Sequence, residues 1–203
     1  TALLTVQNIG SSVESMTLGN TTAGGTFSFL ATTVTGTADA KTFTVSNVGA
    51  GTLTVDNAIE EITINSAGTA NTLTAISSAA DTINFTGSSA LSVTGVLATA
   101  ETINGSAATG GLTFENSNTA AATISTGSGN DTVTMDGAVG TVVDTVSLGA
   151  GNDKIVYQAA GGLDKTDALT GGDGTDTISA LVADLDTTNF DTASTTITGF
   201  EAI

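Results

Sequence analysis

The chain has 203 residues, with 20 acids against 3 lysines, no arginine and a formal net charge of -17, yet it is 39% hydrophobic. Enough apolar surface remains to build a core, which excludes a disordered acidic tail, and the charge disfavours nucleic acid and anionic lipid as partners. Cysteine and histidine are absent, which removes disulfides, thiolate and imidazole metal ligands and the usual nucleophile–base pairs.

Thr, Val, Ile and Gly dominate, the chemistry of strands and turns. No apolar run approaches the ~18 residues of a membrane helix, so membrane insertion is not expected. Thr1 and Ile203 both fall mid-pattern, so the sequence is expected to be a segment of something longer.

Read along the chain, one phrase recurs: an acid two residues ahead of an apolar residue. It occurs as Glu14/Met16, Glu60/Ile62, Asp81/Ile83, Glu101/Ile103, Asp144/Val146, Asp167/Leu169 and Glu201/Ile203. The first fifty residues keep this register poorly, because Lys41 and Phe43 stand where an acid and an aliphatic are expected. From Glu60 onward the apolar member steps through Ile62, Ile83, Ile103, Ile124, Val146 and Leu169, at intervals of 21, 20, 21, 22 and 23 residues. A second apolar column interleaves with it: Leu53, Leu73, Leu91 or Val93, Leu112, Val133, Ile155 and Ile178.

Two apolar columns sharing one period indicate a flattened coil. The expected fold is all-β: a parallel β-solenoid or β-roll with two short strands and two turns in each coil of about 20–23 residues. Threonines flank the apolar residues, as in Thr52-Leu53-Thr54 and Thr132-Val133-Thr134, so the apolar side chain points inward and the hydroxyls outward. About nine coils stacked at ~4.8 Å give a rod roughly 45 Å long. The strict period disfavours an array of immunoglobulin-like sandwiches. Residues 1–120 are expected to form coils without metal-binding turns, and 121–203 to continue the same solenoid with a different turn chemistry. Glu60, Asp81 and Glu101 have no glycine loop before them and are assigned to capping turns and keeping that edge soluble.

The chemistry concentrates after residue 126, where 12 of the 20 acids lie. Three segments share one form there: Thr126-Gly127-Ser128-Gly129-Asn130-Asp131, Leu148-Gly149-Ala150-Gly151-Asn152-Asp153 and Gly171-Gly172-Asp173-Gly174-Thr175-Asp176, each followed two residues later by Val133, Ile155 or Ile178. Glycines let the backbone curl and aim carbonyl oxygens at one point, and the aspartate adds the anionic oxygen that a hard cation prefers. The spacing stacks Asp131, Asp153 and Asp176 on one edge and Asp144 and Asp167 on the other. The turn before Asp144 lacks the Gly-x-Gly form and the one before Asp167 carries an insertion at 161–166, so the second edge is expected to hold poor sites or none.

Residues 126–179 resemble the RTX nonapeptide repeats of type I-secreted bacterial proteins. The phrases at 59–65, 100–104 and 198–203 are similar to coils of RTX-containing surface-layer proteins. The resemblance implies calcium (Ca2+) between successive coils, with carboxylates from Asp131, Asp153 and Asp176 and carbonyls from residues 126–130, 148–152 and 171–175. It also implies export as an unfolded chain, folding outside the cell and a place at the bacterial cell surface. The expected function is a structural calcium-binding segment of a secreted surface-layer protein that self-assembles with copies of its parent. The alternative is the RTX calcium module of a larger secreted adhesin, toxin or enzyme.

No enzyme is expected in this segment. Its acid pairs lack flanking basic or aromatic subsites, for the lysines are Lys41, Lys154 and Lys165 and the one tyrosine is Tyr157. Ice binding by threonine rows is disfavoured, because the rows break at Leu112 and at Lys154-Ile155-Val156.

Overall fold

The structure, a computed structural model, describes residues 2–136, 142–163, 165–185 and 196–202. It is the all-β parallel solenoid that the periodicity calls for. Two nine-stranded sheets face each other, and the chain alternates between them. One sheet holds Leu4–Ile9, Gly24–Phe29, Gly51–Val55, Asn71–Ser77, Leu91–Leu97, Leu112–Asn116, Thr132–Met135, Lys154–Tyr157 and Thr177–Ser179. The other holds Ser15–Gly19, Ala40–Ser46, Glu61–Ala67, Thr82–Gly87, Thr102–Ala108, Thr123–Ser125, Thr145–Ser147, Ala168–Thr170 and Ile197–Thr198. Both sheets run past residue 120 without a break.

The local cause is the period of two. In Glu61–Ala67, Ile62, Ile64 and Ser66 are buried while their neighbours are partly or fully exposed. Each buried isoleucine or leucine contributes about 1.5–3 kcal/mol of apolar burial. Ile62, Ile83, Ile103, Ile124, Leu53, Leu73, Val133, Ile155 and Ile178 are all buried to within 2%. The core is thin enough that aromatic pairs span it: Phe27 meets Phe43 at 5.1 Å between ring centroids, and Phe85 meets Phe114 at 5.6 Å.

The first column stacks as the sequence has it, Ile62 on Ile83, Ile103, Ile124, Val146 and Leu169, and then on Ile197. The second column does so only in part: Val133 stacks on Ile155 and then Ile178, while the steps from Leu53 to Leu73 and from Leu112 to Val133 are not made. Leu53 pairs with Ile76, Leu73 with Val93, Leu91 with Leu112, and Phe114 with Val133. Irregularities after Gly51 and after Thr113 shift the register. Equal spacing therefore mixed two inward positions of one strand, a slip that preserves the buried face because the side-chain period is two.

The early coils are corrected similarly. Asp39, not Lys41, stacks under Glu60, and Lys41 stands in the Ile62 column. Lys41 is only 7% exposed. Its ammonium is held by Glu14 Oε2 at 3.2 Å and the Ser11 carbonyl at 3.3 Å, and sits 5.8 Å from the Phe29 ring centre. Glu14 thus pairs across coils with Lys41 and does not belong to the Glu60 column.

Candidate metal-binding turns

The three Gly-x-Gly segments stack on one edge, as their spacing requires. Ser128 bridges to Ala150, and Ala150–Gly151 pairs with Asp173–Gly174. The Ala150 amide donates to the Gly127 carbonyl and the Asp173 amide to the Gly149 carbonyl, both at 2.9 Å. Thr126 is buried, and its hydroxyl donates to the Leu148 carbonyl. Gly151 and Gly174 adopt φ of 146° and 142°, a region L side chains rarely enter. A β-carbon at either would also overlap the carbonyl oxygen of the coil below, Gly129 for Gly151 and Gly151 for Gly174. Thr126, Gly127, Ser128 and Gly129, then Leu148, Gly149, Ala150 and Gly151, then Gly171, Gly172, Asp173 and Gly174 thus lie one above another.

Asp131, Asp153 and Asp176 close these turns, and none is more than 2% exposed. They form a ladder in which each carboxylate binds the main chain one coil back. The Leu112 amide donates to Asp131 Oδ1 at 2.7 Å, the Asp131 amide to Asp153 Oδ1 at 2.8 Å and the Asp153 amide to Asp176 Oδ1 at 2.8 Å. The other oxygen of each, Oδ2, is buried without a hydrogen-bond partner. Leaving such a group unsatisfied costs about 1–3 kcal/mol, more when it is charged.

Burial raises the Asp131 carboxyl above its ordinary range, opposed by the Leu112 amide on Oδ1. Burial likewise pushes Asp153 up to about 6, with the charges of Asp131 and Asp176 adding to the rise and the Asp131 amide opposing it.

This donor set fits a hard cation. Among the described residues no three acids cluster as a metal cage, so the remaining ligands would have to be main-chain carbonyls, which the glycine turns supply. Calcium accepts such mixed carboxylate and carbonyl oxygen shells, whereas sites for softer metals need sulfur or nitrogen.

The second edge carries a ladder of the same kind. Asp144 and Asp167 are buried, with Oδ1 of Asp144 accepting the Ala122 amide at 2.9 Å and Oδ1 of Asp167 accepting the Asp144 amide at 3.0 Å. The expectations for the segments before Asp144 and Asp167 fall in part on residues 137–141 and Asp164, which lie outside the described residues. Glu60 caps in the same manner, accepting the Asp39 amide at 2.8 Å.

The roles of four residues escaped the sequence reading. Asn130 Oδ1 accepts the Asn152 amide at 2.9 Å and Asn152 Oδ1 the Thr175 amide at 3.0 Å, an outer ladder that explains the asparagine ahead of each of the first two aspartates. Glu201 belongs to this edge and not, as its phrase with Ile203 implied, to the Glu60 column: it accepts the Asp176 amide at 2.7 Å. Its turn is shorter than the other three, which hid the match. Asp184, 2% exposed, accepts the Gly161 amide at 2.8 Å and leaves its Oδ2 buried without a partner; no motif marks it.

No protein-family model, curated protein or solved structure matches this chain.

Proposed function

We propose that this chain is a structural, non-catalytic, calcium-binding segment of a secreted bacterial surface-layer protein. The observation that carries the calcium part is the column of three buried aspartates, each with one oxygen tied to the backbone and the other unpaired. Calcium would be held by Asp131, Asp153 and Asp176 with carbonyls of residues 126–130, 148–152 and 171–175, and it would supply the positive charge the column lacks. Two like charges about 5 Å apart repel by roughly 3 kcal/mol at an effective dielectric of 20. Three such carboxylates therefore oppose folding until a cation neutralises them.

The surface-layer part rests on the resemblance in the repeated phrases and on the elongated, repetitive fold. Export would precede folding, and calcium outside the cell would complete the last coils and favour assembly with further copies of the parent.

Equilibrium dialysis and anomalous diffraction test the metal: at least two calcium ions should bind, in the Asp131/Asp153 and Asp153/Asp176 gaps, with affinity near 10⁻⁴–10⁻³ M. No calcium at these turns would refute it. Imaging the full-length parent tests the assembly. Ordered arrays that dissolve on chelation support it, whereas a soluble, monomeric, catalytically active parent would move the segment to the larger-enzyme alternative.

A further inference from the structure

Resting on the calcium reading above, we infer that the same edge carries a third cation position with no Gly-x-Gly motif of its own, built by Asp176 together with Gly199 and Glu201 of the next coil. Asp176 is fully buried, its Oδ1 is committed to the Asp153 amide, and its Oδ2 has no partner. That oxygen lies close against Gly171. A β-carbon there would stand 2.7 Å from Asp176 Oδ2 and would overlap the Gly199 carbonyl oxygen. Two oxygens from different coils thus approach the same point beside Gly171, as only a residue without a side chain allows. At the equivalent place one coil earlier stands Leu148, whose side chain is fully buried.

Glu201 closes the arrangement. Its Oε2 accepts the Asp176 amide at 2.7 Å, and the amides of Glu201 and Ala202 donate to the Asp176 carbonyl at 3.0 and 3.2 Å. The Glu201 side chain is exposed, so its other oxygen is free to turn toward a cation. Carboxylate, carbonyl and carboxylate, drawn from two coils with water completing the shell, suit a divalent cation of calcium's size.

The experiment is a count of bound calcium by equilibrium dialysis for the wild-type chain and for Glu201→Gln, which keeps an oxygen to accept the Asp176 amide. Three ions per chain should fall to two in E201Q, while Asp131→Asn should lose its ion from the opposite end of the column and keep this one. An unchanged, non-zero count in E201Q overturns the third position and leaves the two motif sites standing. A wild-type chain that binds no calcium overturns both readings. Should E201Q disturb the last coil, wild-type crystals grown with calcium decide the matter. An anomalous peak is expected about 2.3–2.6 Å from Asp176 Oδ2 and from the Gly199 carbonyl. Peaks at the other turns with none here overturn the inference.

Discussion

One column of this solenoid changes character halfway along. The position filled by Asp131, Asp153 and Asp176 is filled in earlier coils by Asn71, Leu91 and Leu112, which stack in the same register. Leu91 and Leu112 are buried apolar residues. Asn71 is buried and well satisfied: its amide nitrogen reaches the Val45, Ala67 and Thr69 carbonyls and the Ser66 hydroxyl, and its oxygen accepts the Val48 amide. The same backbone path is therefore closed in two ways, by neutral groups that need nothing further and by carboxylates that do. What separates the two regions is whether a corner completes itself, together with strand length, which falls from five to seven residues between Ala40 and Asn116 to four or fewer beyond.

The strongest way to break that comparison is to remove calcium. Amides of residues 126–202 should lose protection from hydrogen exchange while those of residues 40–116 keep theirs. Ligand at a hundredfold excess over Kd stabilises by about 2.7 kcal/mol per site, so two sites span about 5 kcal/mol. Uniform protection, or uniform loss, would show that the two regions do not differ in this way.

Next in size is a core substitution on the calcium-free side. Ile103→Ala should cost about 2–5 kcal/mol by denaturant titration, equally with and without calcium. A calcium-dependent cost would mean that the early coils share the ions' stabilisation.

A smaller effect concerns protons. Asp153 has its folded pKa raised from 3.8 to about 6, so between those values the native state binds more protons than the unfolded chain. In metal-free protein this contribution to stability is complete below pH 3.8, falls as pH rises and is gone above about 6. Asp153→Asn should flatten that slope and weaken calcium binding together. No slope would place the carboxylate in solvent, and a slope of opposite sign would place it in an ion pair.

The smallest expected effect sharpens the contrast. Glu60→Gln keeps its oxygen for the Asp39 amide and should change stability by within about 0.5 kcal/mol, with calcium binding untouched.

The fold was legible because its cause is local. Isoleucine at 62, 83, 103 and 124 and threonine beside it impose both the coil period and the inward face. Register on the other sheet was legible from Val133 through Ile155 to Ile178 but not around Leu53 and Leu112, since a bulge moves one apolar residue into another's place without exposing it. The three glycine turns announced themselves through residue type. The Oδ1 ladder did not, because a hydrogen bond to the main chain of another coil leaves no mark in the sequence. Glu201 was seen as a phrase but set on the wrong edge, for a shortened turn breaks the count that carried the other three.

The stacking distance along the chain has a kinetic consequence. Partners in neighbouring coils stand 19 to 25 residues apart from Leu112 to Glu201, so each added coil closes a loop of nearly the same length at nearly the same entropic cost. Such a chain orders by accretion onto a finished neighbour, and its stability is a sum over adjacent layers. The self-completing coils supply the first surface for that growth. If the proposed calcium sites hold, accretion in a compartment poor in calcium should stall at the first naked carboxylate, near Asp131, until ions arrive.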